Sequence, residues 1–310
     1  MLSGFRQRAR IHLTLRLLCS VCACLLACLA CAHATTARPA QVAILDLGTA
    51  QTAERVADEL TQSFAKLPDF AVVNRAQSRA AARGIGYAGS LNLSLAEAGD
   101  LGTAIGCDFF ITGEAQTLRR SAFERADYYE AYAALFLVST RTGRLLLWEQ
   151  PSAEAATAPA AEQALLAELE RRAARYAELL RAKREAERAE KLLALTLDAP
   201  VIADGSDAAH EGAAEQIRAP RPYRRLQPAY PEQAARMSAE ATVDVLVEID
   251  ANGEVGEVEV ARWAGYGLNE AVVATVRQMH FFPALSDRVP VPFRALLRYN
   301  FRKPAQASQK

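Results

Sequence analysis

Residues 160–195 contain neither proline nor glycine, and this stretch constrains the fold more than any other feature of the sequence. Because it is rich in Ala, Leu, Glu, Arg and Lys, it predicts one helix about 50 Å long, at about 1.5 Å per residue. An apolar stripe, which we expect to pack on the preceding domain, is formed by Leu165, Leu169, Ala173, Tyr176 and Leu180. From 181 to 191 charges surround the helix, which favours a solvated spacer over a coiled coil because the stripe is too short for sustained heptads.

This helix divides the 310-residue chain into two domains, the number expected at about 100–200 residues each. The 36 basic and 36 acidic residues balance, so the charge does not favour nucleic acid as a partner. The predicted order is a signal peptide at 1–34, a first domain at 40–155, the long charged helix at 156–197, a flexible linker at 198–219, a second domain at 220–302 and a disordered tail at 303–310.

The N-terminus has the three parts of a secretory signal. Residues 1–16 carry four arginines and no acidic residue, and an apolar run from Leu17 to Ala32 follows. The run ends at Ala32-His33-Ala34, a small-x-small cleavage site. Because the run is shorter than the roughly 20 residues that a spanning helix needs, we expect cleavage after Ala34 and export, with a retained membrane anchor as the alternative.

Five of the six cysteines lie in this signal, and only Cys107 lies beyond it. After cleavage the chain has no internal disulfide, so its stability must come from packed cores. Cys107 is predicted to be a small buried hydrophobic residue. Cys28 and Cys31 each follow an alanine, in patterns that resemble a lipoprotein signal, so lipidation at one of them is the alternative to plain cleavage.

The order of predicted elements in the first domain favours an α/β sandwich with a mixed sheet. Strands and helices alternate at first, and Ser94 with Glu97 predicts a capping box for one of the helices. A meander of strands then follows. The predicted strands are 41–47, 70–73, 107–118, 126–139 and 145–148, and the predicted helices are 53–67, 76–83 and 95–105.

The first domain also resembles a known periplasmic domain. The segments VAILDL, FAVVNR, LGTAIGCDFFITGEA and LFLVSTRTGRLLLWEQ, within 41–150, are similar to the domain of CsgG-like, FlgO-like and LpoB-like envelope proteins and to the N-terminal domain of TolB. The resemblance implies binding or assembly rather than catalysis. A CsgG-type pore needs long hairpins, and 119–125 is too short an insertion because a single transmembrane strand takes about 9–11 residues.

The second domain predicts a small sheet with helices. Thr242–Ile249 alternates apolar and polar residues, as a half-buried strand does. Asn252-Gly253 then predicts a hairpin turn into a return strand at 254–261. We further expect a short helix at 232–237, a second helix at 269–279 and a final strand at 290–301. The complete chain is therefore predicted to be α+β.

Four segments of the second domain resemble the TonB C-terminal domain. They are PAYPEQA at 228–234, VDVLVEIDANGEV at 243–255, LNEAVVATVRQMHFFPA at 268–284 and VPVPFRALLRYNF at 289–301. The resemblance implies a periplasmic domain in which the last strand, about 290–302, adds an extended peptide of an outer-membrane TonB-dependent transporter or another envelope protein. The residues implied at this edge are Gln227, Pro228, Tyr230, Phe293, Arg294, Leu296, Arg298 and Asn300.

Two interpretations of the charged edge and of the whole protein stay open. Arg294, Arg298 and Arg302 either steer an acidic partner or protect the strand edge by charge. The protein is either a periplasmic adaptor for transporters or an assembly scaffold whose second domain forms a homodimer. In both cases the membrane is contacted only through a lipid anchor or an uncleaved signal.

Neither a complete energy transducer nor an enzyme is predicted. TonB proteins couple to the ExbB–ExbD motor through a Ser-x-x-x-His pattern, whereas Ser20 is followed by Val-Cys-Ala-Cys24. Beyond the signal only His210 and His280 remain, and no catalytic triad, metal cluster or phosphate loop is evident. The acidic pair Asp127 and Glu130 is interpreted as a solvated face. We therefore expect no catalytic residues, metal or cofactor.

Overall fold

The computed structural model describes residues 38–122, 125–196 and 217–303. The protein is α+β, as its sequence predicts. We call residues 38–196 the N-terminal module and residues 217–303 the C-terminal module. None of the helices among the described residues is both long and apolar enough to cross a membrane. The predicted signal, with Ala32, Ala34, Cys28 and Cys31, lies outside the described residues, as does His210.

The N-terminal module contains a mixed six-stranded sheet, which we call the large sheet. Its strand order is β2-β1-β3-β4-β5, with β6 also paired to β4. The first three strands are parallel to one another and the others are antiparallel. The strands are β1 (Ala40–Ile44), β2 (Phe70–Val72), β3 (Phe109–Ala122), β4 (Arg125–Ser139), β5 (Leu145–Glu149) and β6 (Ser152–Ala155), and the helices are α1 (Gln51–Ala65), α2 (Arg75–Gly84), α3 (Leu95–Ile105) and α4 (Ala158–Thr196).

Helices cover both faces of the large sheet. On one face, α1 and α4 form a core with the sheet. The stripe of α4 lies in this core, where Leu165, Leu169, Tyr176 and Leu180 are completely buried. On the other face, α2 and α3 contribute residues such as Ala82, Leu101 and Ile105 to a second core. The N-terminus of α3 has the capping box that its sequence predicts, with Ser94 and Glu97 bonded in both directions.

The second half of α4 is only partly the solvated spacer that its sequence predicts: most residues from 181 to 190 are exposed, but some contact the rest of the N-terminal module. Glu187 is buried and accepts a hydrogen bond from Ser139 Oγ at 2.6 Å. Arg181 pairs with Asp69 at 3.0 Å in the loop before β2. Sequence periodicity missed these contacts because they join charged side chains of α4 to a serine of β4 and an aspartate of a loop, and no apolar stripe marks them.

Two strand predictions in the N-terminal module also need correction. The predicted strand ending at Leu118 continues to Ala122, because cross-strand ion pairs such as Arg120 with Glu130 continue the ladder toward the hairpin end. The structure also contains β6, which the sequence did not predict. Pro151 separates β6 from β5, but both strands pair with β4, so the proline interrupts one long edge without ending it.

The C-terminal module is built around a three-stranded antiparallel sheet of order β10-β9-β14, which we call the small sheet. The module also contains two short ladders: β8 pairs with β11, and β12 pairs with both β7 and β13. The strands are β7 (Ile217–Arg218), β8 (Arg221–Pro222), β9 (Ala241–Ile249), β10 (Val255–Arg262), β11 (Phe281–Phe282), β12 (Ala284–Ser286), β13 (Val289–Val291) and β14 (Phe293–Phe301), and the helices are α5 (Glu232–Met237) and α6 (Leu268–Val276).

The final strand differs from its prediction. The sequence predicted one strand over 290–301, but Pro292 divides it into β13 and β14, which pair with different neighbours. Proline has no backbone N–H, so the ladder breaks there. Ile217 and Arg218, at the end of the predicted linker, form β7 and pair with Leu285 and Ser286.

The two modules share one hydrophobic core, which the sequence did not predict. The core on the second face of the large sheet continues into the C-terminal module through Trp263 and Tyr266. Trp263 is 1% exposed, and its Nε1–H donates to the Gly143 carbonyl at 3.1 Å. The rings of Trp263 and Tyr266 lie 5.6 and 6.0 Å from that of Phe136 on β4. The C-terminal module therefore completes the cover of the large sheet.

Asn92 fixes the position of the two modules through three hydrogen bonds. Its amide nitrogen donates to the carbonyls of Thr242 and Trp263 at 2.7 and 2.8 Å, and its amide oxygen accepts from Thr242 N at 3.1 Å. Close by, Trp263 N donates to the Leu93 carbonyl at 3.1 Å. The chain before α3 thus binds the ends of β9 and β10 through backbone groups.

Candidate functional site

The candidate site is the edge of the small sheet formed by β14. Along its whole length, from Phe293 opposite Ile249 to Phe301 opposite Ala241, β14 pairs with β9. On the other side of β14 no described strand is paired with it. An edge of this kind presents backbone N–H and C=O groups to which an extended segment can hydrogen-bond as an added strand.

The opposite edge of the small sheet is partly covered. Arg262, at the end of β10, forms an isolated antiparallel bridge with Ser94 of the N-terminal module. Arg262 also donates to the Asn92 carbonyl at 2.9 Å. Because the N-terminal module lies against this end of β10, β14 is the longer accessible edge.

The side chains of β14 divide between two faces. Ala295, Leu297 and Tyr299 pack against the shared core, and Phe301 is buried. The other face carries the predicted site residues Arg294, Leu296, Arg298 and Asn300. Leu296 is 55% exposed. The side chains therefore alternate between the two faces from Phe293 onward, and on the outer face one apolar side chain lies between two arginines.

The two predicted arginines are held by acidic residues of the same sheet. Arg298 donates to both carboxylate oxygens of Asp244 at 2.7 and 2.9 Å, and this contact raises the pKa of Arg298. Asp244 is only 5% exposed. Arg294 donates to Glu259 Oε2 at 2.7 Å. Asn300, the third polar residue of this face, accepts from Thr242 Oγ1 at 2.8 Å.

Each arginine is the first member of an ionic chain that crosses the small sheet. From Arg294 the chain passes through Glu259 to Arg144 of the N-terminal module, whose Nε lies 3.0 Å from Glu259 Oε1. From Arg298 the second chain passes through Asp244 to Arg262, at 3.6 Å. We call these the two ionic chains.

The second ionic chain also reaches the N-terminal module. Arg262 lies 2.9 Å from Glu97 of α3. The backbone N–H of Ser94 and, after it, Arg262 hold the pKa of the Glu97 carboxyl below its ordinary value. The sequence showed Asp244 on the polar face of a strand, but it gave no signal for Glu259, Arg144, Arg262 or Glu97 as partners.

The other predicted site residues precede α5. Tyr230 donates to the Ala239 carbonyl at 2.8 Å, and its ring lies 6.2 Å from the ring of Phe301 at the end of β14. Burial raises the pKa of the Tyr230 hydroxyl. Gln227 is exposed and Pro228 half-buried. The structure therefore places Tyr230 beside the end of β14.

Residues considered for catalysis lie apart from this edge. His280 contacts Glu254 at 3.1 Å on the surface, and Asp127 forms an ion pair with Arg119 within the β3–β4 hairpin. Among the described residues no group of three or more His, Cys, Asp and Glu side chains is arranged to hold a metal ion. Cys107 is buried, and burial raises the pKa of its thiol to about 11.

Comparison with known proteins gives a family match for the C-terminal module. Residues 226–302 match the family model described as Gram-negative bacterial TonB protein C-terminal. This match confirms the resemblance of the second domain, whereas the resemblance of residues 41–150 to CsgG-like and TolB-like domains stays a prediction. A comparison with curated proteins gives no match.

Two solved structures are similar to parts of the chain. One is described as the solution NMR structure of the Pseudomonas aeruginosa TonB CTD, with 22% identity, 30% of this chain and 93% of that chain covered, and a TM-score of 0.25. The other is the hypothetical protein CT253 from Chlamydia trachomatis, with 11% identity, 43% of this chain and 96% of that chain covered, and a TM-score of 0.30.

Proposed function

We propose that this protein is a periplasmic adaptor that binds an outer-membrane transporter, or another envelope protein, by adding an extended segment of that partner to β14. The observation that carries the proposal is the unpaired side of β14 over Phe293–Phe301. The match of residues 226–302 to the TonB C-terminal family supports the same type of partner. The protein acts by binding, without catalysis and without its own motor-coupling helix.

The outer face of β14 gives the partner segment a defined chemistry. Side chains of an added strand lie alternately on the two faces of the sheet, about 5 Å from those of the neighbouring strand. An apolar partner residue beside Leu296 would cover this exposed side chain. Acidic partner residues on either side would lie near Arg294 and Arg298. We therefore expect a segment in which acidic residues flank an apolar residue.

The decisive experiment titrates the isotope-labelled chain 35–310 with extended TonB-box peptides and follows backbone amide shifts by NMR. The two modules share a core, so the whole exported chain is used rather than an isolated domain. Saturable shifts along Phe293–Phe301 are expected. A Leu296→Lys variant should bind about tenfold more weakly, because partial burial of a leucine contributes about 1–1.5 kcal/mol.

Val289→Lys is the matched control. Val289 is 61% exposed and lies on β13, before the break at Pro292, so its substitution should leave peptide affinity unchanged. Absence of shifts at millimolar peptide would contradict the adaptor. If the chain instead self-associates with increasing concentration, the assembly scaffold becomes the better explanation, with the same edge pairing between two copies.

A further inference from the structure

The N-terminal module has a cavity at a position in the large sheet where other proteins with open α/β sheets bind their ligands. The three parallel strands have the order β2-β1-β3. The connection leaving β1 runs through α1 on one face, and the connection entering β3 runs through α2 and α3 on the other face. In open α/β sheets this reversal opens a crevice at the carboxyl ends of the strands, and ligands bind there.

The crevice is present and is large enough for a small molecule. It has a volume of about 440 Å³ and is lined on one side by the segment after β1, including Asp46 and Gly48. Ligand pockets commonly measure about 300–1,000 Å³. Gly48 has a φ of +100° and no atom within 4 Å of an added Cβ, so the backbone at the mouth of the crevice is open to a ligand.

One wall of the crevice is a row of three arginines on α2. Arg75, Arg79 and Arg83 are spaced four residues apart and all line the cavity. The guanidinium group of Arg79 donates two hydrogen bonds, of 2.8 and 2.6 Å, to the carboxylate of Asp46. Arg75 pairs with Asp58 at 2.6 Å, but its buried Nε has no hydrogen-bond acceptor.

The side chain of Arg83 is exposed and forms no hydrogen bond or ion pair among the described residues, although it lies at the same cavity. Its charge is therefore available, and the guanidinium group suits oxyanions because it donates two parallel hydrogen bonds. The cavity also contains Glu114, which accepts from Tyr132 at 3.2 Å. An entering anion would be repelled from Glu114 and from Asp46, and would therefore lie at the Arg83 end of α2.

The remaining wall is apolar. Ala82 is buried, Tyr87 and Leu91 are half-buried, and all three line the cavity. Tyr87 directs its hydroxyl away to the Ser90 carbonyl at 2.9 Å, so its ring rather than its hydroxyl faces this space. A ligand that fits both walls carries an oxyanion at one end and an apolar body at the other.

We propose that this crevice binds a small organic oxyanion, a carboxylate or a phosphate ester with a short apolar chain, with the anionic group held by Arg83. The site lies in the N-terminal module and is independent of peptide binding at β14. Carboxylate and phosphate share the same recognition by guanidinium groups, and the test distinguishes them.

The test titrates the labelled chain 35–310 with four probes: acetate, hexanoate, inorganic phosphate and hexyl phosphate. Amide shifts of Gly48, Thr49 and Gly113, which line the crevice, report binding. At least one hexyl probe should saturate below about 10 mM, and each buried methylene should tighten binding by about fourfold relative to the short anion. Tighter binding of hexanoate would identify the ligand as a carboxylate, and tighter binding of hexyl phosphate would identify it as a phosphate ester.

Two controls make the result decisive. Arg83→Gln should weaken binding by about tenfold, whereas Arg171→Gln, an exposed arginine of α4, should leave it unchanged. Hexanol supplies the apolar chain without charge and should not saturate. The proposal is overturned by absence of saturable shifts with all four probes, by equal affinity in the two variants, or by hexanol binding as tightly as the better ligand of hexanoate and hexyl phosphate.

Discussion

The packing of the two modules can be tested at Gly265, where the structure leaves no room for a side chain. Gly265 has a φ of +65°, and a Cβ added there would lie 2.5 Å from Trp148 Cδ1 and 2.6 Å from Phe136 Cε1. Both contacts cross from the C-terminal to the N-terminal module. A Gly265→Ala substitution therefore strains the backbone and separates the modules at the same time.

The expected magnitude has two parts. A left-handed backbone conformation costs alanine about 1–2 kcal/mol. Overpacking in a well-packed core costs about 1–3 kcal/mol. Gly265→Ala should therefore lower the free energy of unfolding by about 2–5 kcal/mol.

Two other glycines of the C-terminal module separate the cost of backbone strain from the cost of overpacking. Gly267 has a φ of +75°, but an added Cβ would meet only Pro231, at 3.3 Å, so Gly267→Ala should cost about 1–2 kcal/mol. Gly256 lies on β10 with ordinary backbone angles and its nearest contact at 3.6 Å, so Gly256→Ala should change the stability by about 0.5 kcal/mol or less.

The assay is urea unfolding followed by tryptophan fluorescence and by far-ultraviolet circular dichroism. The chain has two tryptophans, Trp148 and Trp263, and both lie at the contact between the modules. Fluorescence therefore reports on module packing, and dichroism reports on secondary structure. In Gly265→Ala the fluorescence transition should move to lower urea than the dichroism transition. Equal midpoints for Gly265→Ala and Gly267→Ala would refute the packing at Gly265.

Three further predictions concern single side chains. Asn92→Ala should lower the free energy of unfolding by about 1–3 kcal/mol in urea, because it leaves backbone groups of Thr242 and Trp263 without partners; an unchanged midpoint would contradict this. Arg79 holds the pKa of Asp46 below its ordinary value, so the carboxylate stabilises the fold above the unfolded pKa of about 3.9 and loses this effect as the pH falls through its folded pKa. Asp46→Asn should therefore be less stable than the unsubstituted chain at pH 7, with the difference shrinking below about pH 4 in thermal melts; a constant difference would argue against the ion pair. Cys107, with its thiol pKa raised to about 11, should react slowly with Ellman's reagent in the folded chain at pH 8 and rapidly in urea, and rapid reaction of the folded chain would contradict its burial.

The sequence predicted those elements whose signals are local. The hairpin between β9 and β10 follows from strict alternation and from Asn252-Gly253, where Gly253 has a φ of +87°. The start of α3 follows from Ser94 and Glu97, which lie three residues apart. These signals depend only on residues that are close together in the sequence, so they can be interpreted without knowledge of the tertiary structure.

The contact between the modules could not be predicted in the same way. Asn92 lies in a polar loop and bonds to Thr242, 150 residues away in the chain. In the sequence Gly265 and Gly267 are both turn glycines, and nothing distinguishes them. Only the position of Trp148 in the structure shows that Gly265 faces the other module. Trp263 follows a strand of moderate polarity, and its burial depends on a sheet formed by other residues.

The candidate edge shows the same division between local and tertiary information. The family resemblance implied that Arg294, Leu296 and Arg298 lie at the edge formed by the last strand, and in the structure all three lie on the outer face of β14. The open question was whether the arginines steer a partner or only protect the edge. In the structure Arg298 is fixed by two hydrogen bonds to Asp244, a geometry that is compatible with both alternatives.

Fixed arginines present a defined charge pattern to an approaching strand. A flexible surface arginine loses side-chain entropy when it pairs with a partner, whereas one already held by a carboxylate has lost much of that freedom. The holding carboxylates Asp244 and Glu259 are themselves bound to Arg262 and Arg144, so docking of the N-terminal module helps to fix the charges beside β14. The chemistry of the edge therefore depends on both modules, which is why residues 35–310, and not the matched family segment alone, are the unit to test for binding.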